Sequence, residues 1–346
     1  MRRLVPLAFL AALLSVPLWL TDPYFLHILI TTGIFTIAAM SLNLLLGYTG
    51  QLSLGHVAFF GIGAYVSALT TLGFDVDIGP WTFVHEPWPV MAGFALAVVI
   101  AGLCGYLIGK LSFKVRGAYF VIVTISFAEV VRLVALNWVD LTQGPLALNN
   151  IPAFTLQFPG LGEHTLWGKA PNYYLVLAVA AIAYLIIKRL VGSRIGRAMV
   201  ALKENESLAV SVGIDVTRYL VLAAVISAAL AGAAGSLYAH YVKIIDPEIF
   251  LFIYTVTMVI MVVAGGKGTL AGPIVGGLIF GLLPEILRAA AIKPEVQWVV
   301  YGVLMILVVY FLPEGIVPAV RNWWQGRGKP EAAEPPAGRP ATEAAR

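Results

Sequence analysis

Cysteine, histidine and charged residues are all scarce in this sequence, and each scarcity excludes a class of chemistry. The single cysteine, Cys104, has no second thiol with which to form an internal disulfide or share a metal ion. The five histidines are scattered, and the sequence contains no HExxH motif, no GxSxG motif and no cluster of Asp with His. We therefore predict that the chain is not an enzyme and holds no metal or other cofactor.

A phosphate-binding loop is also missing. The segment GGKGT at 265–269 combines glycine with lysine, but Lys267 is followed by Gly268 rather than by Ser or Thr. No strand precedes the segment, as a P-loop requires. The chain is therefore not expected to bind or hydrolyse ATP by itself.

Apolar residues take the place of the missing charge. Hydrophobic residues make up 60% of the chain, charged residues only 12%, and the mean hydropathy is +0.90. Soluble domains carry roughly 25% charged residues. We predict an integral membrane protein in contact with lipid. Its net charge of +4 does not indicate a nucleic-acid partner, because the position of Lys and Arg matters more than their total in a membrane protein.

Ten apolar runs approach the length of about 20 residues that crosses a bilayer. They cover approximately 4–20, 25–46, 54–72, 90–108, 119–138, 173–187, 220–238, 250–264, 270–287 and 296–312. The runs are continuous and lack the alternation of barrel strands, so helices are expected. The first run starts with Arg2 and Arg3 but has no small-x-small cleavage site, and we expect it to be retained. The predicted fold is all-α: a polytopic bundle of about ten transmembrane helices.

The distribution of basic residues predicts the orientation. With a cytoplasmic amino terminus, seventeen Lys and Arg residues fall on the inside and four on the outside. The positive-inside rule therefore places both termini in the cytoplasm. Residues 1–327 form the predicted transmembrane domain. Residues 328–346, rich in Ala, Pro and Glu without an apolar pattern, form a predicted disordered cytoplasmic tail.

A short glycine-rich break, GYTGQLSLGH at 47–56, separates the second and third runs. It carries no charge. It is either a loop or a broken helix within the membrane, which is tolerated only where the backbone is buried in protein or lines a cavity. Four of its residues are candidates for the wall of a solute pathway: Gly47, Gly50, Gly55 and His56.

Two charged residues interrupt the fifth run. Glu129 lies about ten residues into it, or roughly 15 Å, close to the middle of the membrane. Arg132 is three residues further on, so the two side chains share a helix face and are expected to pair. A role in lining a solute pathway or in contacting a partner subunit is the alternative to a purely structural pair.

The segment 188–219 holds nine of the forty charged residues. An apolar stripe at Ile195, Ala198, Met199 and Leu202 ends at 203–207, and a second stripe follows on another face. We predict two short cytoplasmic helices, the second capped by Asn205 and ended by Gly213. This hairpin is a docking device, unless it is a solvated loop with a membrane-surface helix. The residues assigned to the docking site are Glu204, Asn205, Glu206, Leu208, Ala209, Val212 and Gly213.

Four stretches of the sequence resemble one family of membrane proteins. They are LNLLLGYTGQLSLGHVAFFGIGAY at 42–65, KVRGAYFVIVTISFAEVVR at 114–132, GRAMVALKENESLAVSVGIDV at 196–216 and GGKGTLAGPIVGG at 265–277. Together and in this order, they resemble the permease subunits of ATP-binding-cassette (ABC) importers for branched-chain amino acids, of the LivM type.

The third stretch resembles the loop by which such permeases engage their ATPase. That loop often contains Glu-Ala-Ala with a glycine six residues after the glutamate. Here Glu206 stands seven residues before Gly213, and Ser207 and Leu208 replace the alanines.

The resemblance implies partners. They are a sister permease of the LivH type, two cytoplasmic ABC ATPases and a periplasmic or extracellular substrate-binding protein. This chain would then form half of the translocation pathway in the inner (plasma) membrane. Acidic residues of the predicted outside loops become candidates for contact with the binding protein: Asp75, Asp77, Asp140, Asp246 and Glu248. Two alternatives remain open: a permease for urea or short amides, and a secondary carrier driven by an ion gradient.

Overall fold

A computed structural model describes residues 4–20, 22–78, 81–113, 117–158, 162–289 and 293–324 of the chain. Helices dominate these residues. Their bounds are α1 Leu4–Trp19, α2 Pro23–Asn43, α3 Val57–Leu72, α4 Val90–Ser112, α5 Ala118–Asn137, α6 Val139–Thr142, α7 Lys169–Gly192, α8 Arg194–Glu204, α9 Glu206–Ser211, α10 Val216–Val242, α11 Phe252–Gly266, α12 Gly272–Ala289, α13 Pro294–Phe311 and α14 Ile316–Trp324. The predicted tail at 328–346 lies outside the described residues.

Each of the ten predicted apolar runs coincides with a helix. Within the described residues, five helices are long and apolar enough to cross a membrane. They are α2 with the turns that follow it (Pro23–Thr49), α4, the α5 segment Tyr119–Asn137, α7 and α10. Helices α3 and α11 are apolar but shorter. The chain is therefore a multi-pass membrane protein. The total of ten crossings and the location of the termini stay predictions.

Two β-hairpins correct the expectation of an all-α fold. Strand β1 (Phe74–Ile78) pairs antiparallel with β2 (Trp81–His85), and β3 (Thr155–Phe158) pairs with β4 (Gly162–Thr165). Both hairpins connect helices and are too short to contribute a separate sheet core. They pair backbone N–H and C=O groups that would otherwise need other partners. The length and position of apolar runs do not indicate such strand pairing, so the sequence did not predict the hairpins.

Helices α2 and α10 form the centre of the bundle, and most of their residues are buried. Small residues allow close contact there. A Cβ atom added to Gly63 of α3 would fall on the backbone of Gly232 in α10. One added to Gly105 of α4 would collide with Ala228 of α10. Helices α3, α4 and α10 thus pack backbone to backbone.

Buried hydrogen bonds also join the helices. Ser67 Oγ lies 2.8 Å from His240 Nε2, and Ser236 donates to Ser67 Oγ at 2.7 Å. His240 Nδ1 lies 2.8 Å from the carbonyl oxygen of Pro152. His240 is therefore held by both of its ring nitrogens, which connects α10 to α3 and to the loop before β3.

Candidate functional site

Helix α8 is the first helix of the predicted docking hairpin. Ser193 caps it, because its Oγ accepts hydrogen bonds from the backbone N–H groups of Ile195 and Gly196 at 3.1 and 3.4 Å. The predicted apolar stripe is confirmed: Ala198, Met199 and Leu202 are buried. The opposite face, with Arg194 and Arg197, is exposed. The helix therefore lies along the bundle by one face only.

Helix α9 follows after a single residue, as predicted. Asn205 Oδ1 accepts a hydrogen bond from the N–H of Leu208 at 2.9 Å, which makes Asn205 the N-cap. At the other end Gly213 has φ +86°. Its N–H donates to Val210 O at 2.9 Å, and the N–H of Ile214 donates to Ala209 O at 3.0 Å. These two bonds form a Schellman motif that ends α9 at a left-handed glycine.

The two faces of α9 differ in exposure. Ala209 is only 3% exposed and packs with Leu202 and Leu220. Ala209 was expected on the same outward surface as Leu208 and Val212, but it faces inward. Leu208 and Val212 are 63% and 71% exposed, and Val210 between them is 51% exposed. We call Leu208, Val210 and Val212 the apolar ridge.

Most of the glycine-rich break is buried inside the protein, but Gly50 is exposed. Helix α2 continues into a π-helical segment, Leu44–Thr49, which ends at Gly50 with φ +75°. Residues 51–53 are irregular, residues 54–56 form a turn, and α3 begins at Val57. His56 is fully buried, and its Nε2 lies 2.7 Å from Ser41 Oγ of α2. The break is thus an interrupted helix that packs against the rest of the chain and is exposed at Gly50.

Glycines in the break are required by close contacts. A side chain at Gly55 would fall on the backbone of Thr124 in α5. A side chain at Gly47 would fall on Gly268, which follows α11, and on the Asn43 side chain. The break is therefore the point where α2, α5 and the end of α11 meet.

Asn43, the last residue of α2, holds this meeting point together. Its Oδ1 accepts a hydrogen bond from the N–H of Gly268 at 2.9 Å, and its Nδ2 donates to Thr269 O at 2.9 Å. One amide side chain thus satisfies a donor and an acceptor of the 265–269 loop.

Lys203 joins the docking hairpin to the same point. A Cβ atom on Gly50 would lie 3.2 Å from Lys203 Cγ, and one on Gly268 would lie 3.6 Å from Lys203 Nζ. The last turn of α8 therefore rests on the end of the interrupted helix and on the 265–269 loop. We call Asn43, Gly47, Gly50, Lys203 and Gly268 the glycine junction.

The charged pair of α5 lies apart from the glycine junction. The predicted pairing is confirmed: Arg132 Nη2 lies 2.6 Å from Glu129 Oε1, and Arg132 Nε donates to both carboxylate oxygens at 3.0–3.1 Å. The Arg132 side chain is 24% exposed and that of Glu129 is 51% exposed. The pair thus sits on the outward face of α5.

The structure brings some of the predicted site residues together and leaves others separate. Gly47 and Gly50 meet the docking hairpin through Lys203, whereas Gly55 and His56 contact α5 and α2. Glu204 and Glu206 flank the Asn205 cap. Sequence reasoning missed Asn43 and Gly268 because their contact spans 225 residues. The only sign of this contact in the sequence was the single amide of Asn43 near the end of the second apolar run.

Comparison with known proteins identifies the family. A family model described as "Branched-chain amino acid transport system / permease component" matches residues 24–309. The chain is 32% identical over 308 residues to the high-affinity branched-chain amino acid transport permease LivM of Salmonella typhimurium, which covers 84% of this chain and 69% of that protein. No solved structure matches the chain significantly.

Two further relatives extend the comparison. The probable LivM protein of Methanocaldococcus jannaschii is 27% identical over 326 residues, covering 84% of this chain and 92% of its own length. The LivH permease of Escherichia coli is 31% identical over 293 residues, covering 82% of this chain and 91% of LivH. The family model spans α2 to α13 and thus both the glycine junction and the docking hairpin, and the chain belongs to the permease components of branched-chain amino acid transport systems.

Proposed function

We propose that this chain forms half of the translocation pathway of an ATP-driven importer for branched-chain amino acids in the inner (plasma) membrane. Family membership supports the substrate class. The chain is about as similar to a LivH relative as to LivM relatives, at 31% and 32% identity. Two homologous permeases suit a pair related by a pseudo-twofold axis, so the sister subunit in this proposal is of the LivH type.

In this proposal the end of the bundle that carries α8 and α9 faces the cytoplasm. The excess of Lys and Arg in the segments at that end supports this orientation. Both termini are then cytoplasmic and the chain crosses the membrane ten times. The apolar ridge is presented to the two cytoplasmic ATPases, and the two hairpins face the substrate-binding protein.

The observation that carries the proposal is the direct contact between α8 and the glycine junction. An ATPase that grips the apolar ridge moves α9, which is joined to α8 through Asn205. Lys203 at the end of α8 rests on Gly50 and Gly268. A displacement of α8 therefore reaches the interrupted helix and the end of α11 without an intervening element. Rearranging these two segments opens or closes the cytoplasmic end of the pathway.

The outward face of α5 is the proposed pathway surface. A charge near the middle of the bilayer is unfavourable by about 2.5–3.5 kcal/mol on insertion scales. Glu129 and Arg132 are both partly exposed on this chain, so contact with the sister subunit or with water in the pathway suits them better than lipid. Gly50, the exposed residue of the interrupted helix, is the proposed pathway residue of the break, whereas Gly47, Gly55 and His56 are buried against other segments of the chain.

Replacement of Leu208 by Asp tests the docking role. The exposed Leu208 side chain makes little contact within its own chain, so folding and membrane insertion are expected to persist. A carboxylate buried without a partner in the ATPase groove would weaken the free energy of docking by several kcal/mol. We expect loss of ATP-driven leucine uptake and loss of ATPase from the purified complex.

A matched control places the same charge elsewhere in the hairpin region. Thr217→Asp adds a carboxylate in the exposed first turn of α10, where the helix dipole tolerates it. This variant is expected to retain the ATPase. Full ATPase retention and uptake in Leu208→Asp would mean that the hairpin is a membrane-surface loop.

Two competing functions are separated by uptake measurements. A permease for urea or short amides would transport those solutes with the cognate binding protein, and leucine would not compete. A secondary carrier would lose uptake when the proton gradient is collapsed, whereas an ATP-driven importer supplied with ATP would not. The names of the relatives favour branched-chain amino acids over both alternatives.

A further inference from the structure

A cavity of about 120 Å³ lies at the end of the bundle opposite α8 and α9. It is bounded by the last turn of α10, the segment that follows it and the first turn of α11. Its volume is about ten times what one ordered water requires. The cavity therefore has room for part of a small solute.

Four branched aliphatic residues line this cavity. They are Val242, Ile244, Ile245 and Ile249. The backbone at Ile245 is fixed, because Ile245 exchanges two hydrogen bonds with Leu148 at 2.8 and 3.0 Å. These aliphatic residues suit a branched hydrocarbon group better than a polar one.

Two carboxylates also line the cavity. Asp246 and Glu248 both line the cavity. Asp246 Oδ1 accepts the N–H of Glu248 at 3.0 Å and so caps the short 3₁₀ turn Pro247–Phe250. Within the described part of the chain, neither carboxylate has a basic partner in an ion pair, and the nearby Lys243 places its Nζ over the Trp167 ring at 4.9 Å. The cavity is therefore negatively charged.

Two tyrosines complete the lining of the cavity. They are Tyr238 and Tyr254, whereas Tyr65, which stacks on Phe250, is not among the lining residues. All three tyrosines lie close enough to Asp246 to interact with its charge. Tyr65 is 5% exposed, and its hydroxyl has no hydrogen-bond partner among the described residues. Because Tyr65 does not line the cavity, its hydroxyl is not assigned to it, and the polar groups that face a ligand there come from the lining residues.

We infer that this cavity is an entry subsite that binds the ammonium group and the branched side chain of the transported amino acid. Asp246, with Glu248 beside it, takes the ammonium in a charge-assisted hydrogen bond, and the four aliphatic residues contact the side chain. The inference rests on the proposed function, because it assigns the outer end of the pathway. The site selects against anionic solutes by charge repulsion and gives neutral urea no charge to bind.

The test measures weak binding directly. The complete permease–ATPase complex, in lipid nanodiscs without binding protein, is mixed with leucine, 3-methylbutylamine, 4-methylpentanoate or urea. Saturation-transfer-difference NMR then reports contact with the protein. Leucine and 3-methylbutylamine share the amine and the branched chain, so both are expected to give signals. The anionic 4-methylpentanoate and urea are expected to give none.

Charge removal provides the matched comparison. Asp246→Asn keeps the cap, because Asn is as good an N-cap as Asp, but should reduce apparent leucine affinity about tenfold, the size of one charge-assisted hydrogen bond. Glu248→Gln is a second variant in case the first folds poorly, and thermal unfolding of each complex checks folding. Glu86→Gln removes an exposed acid that follows β2 and lies outside the cavity lining, and it should leave the signal unchanged.

Each remaining outcome decides against the inference. Equal signals from the amine and the anion, or an unchanged leucine signal in both Asp246→Asn and Glu248→Gln, would overturn it. So would weaker binding-protein association with the leucine signal intact, which would make these acids docking residues. Failure of the proposed function is seen separately, as absence of ATP-dependent leucine uptake by the unmodified complex with its binding protein.

Discussion

Gly50→Ala is the sharpest single change in the glycine junction. Gly50 has φ +75°, a left-handed conformation in which a Cβ atom is strained by about 1–2 kcal/mol. The added atom would also lie 3.2 Å from Lys203 Cγ, but this lysine side chain is flexible and can shift by a few tenths of an ångström. We therefore expect about 1–2 kcal/mol of destabilisation, nearly all of it from the backbone.

The assay compares thermal unfolding of the purified complex with leucine uptake per ATP hydrolysed. Gly50→Ala should lower both the unfolding midpoint and the uptake per ATP hydrolysed. Gly50→Asn should lower the unfolding midpoint less than Gly50→Ala does, because Asn tolerates the left-handed region. Adding Lys203→Ala removes the side-chain contact but not the strain, so the midpoint should stay low. Gly192→Ala is the control, since it lies in helix α7 with open space around it. An unchanged midpoint in Gly50→Ala would refute the reasoning.

Three other predictions concern the remaining features. Glu129→Gln and Arg132→Gln should each reduce assembly with the sister subunit more than the double variant does, because a single change strands one charge; additive losses in co-purification would show that the residues act separately. Asn43→Ala should destabilise the complex by about 1 kcal/mol for each of its two hydrogen bonds to the 265–269 loop. Asn137→Ala is the control and should lower the unfolding midpoint less, because the Asn137 amide donates only to Leu133 O of its own helix on an exposed surface. The chain purified alone should show no micromolar binding of leucine, because its spans offer few convergent polar groups; calorimetric titration that yields a micromolar dissociation constant would contradict this.

Local chemistry made the docking hairpin predictable from sequence. The Asn205 cap and the Gly213 stop each depend on residues within five positions, so composition and spacing suffice. The same holds for the Glu129–Arg132 pair, three residues apart on one helix. Apolar runs located every long helix for a similar reason, since length and hydrophobicity are properties of the run itself.

Features that depend on distant partners were not predictable. Spacing placed Leu208 and Ala209 in one stripe. The rotation of a helix as short as α9 about its axis is set by its tertiary contacts, and here the small side chain of Ala209 packs against Leu202 and Leu220. The Asn43 contact with Gly268 depends on how α2 meets α11. The hairpins at 74–85 and 155–165 depend on strand register, which loop composition did not indicate.

Helix α10 connects the two ends of the molecule. Its 27 residues span about 40 Å, longer than the roughly 30 Å hydrocarbon core. It begins three residues after Gly213 of the docking hairpin and ends at Val242, on the wall of the opposite cavity. A rigid rod of that length, tilted by about 3° about one end, displaces the other by about 2 Å. In the proposed importer, a small rotation imposed by the ATPase at the start of α10 would therefore also change the width of the outer cavity, so both ends of the proposed pathway would depend on the same helix.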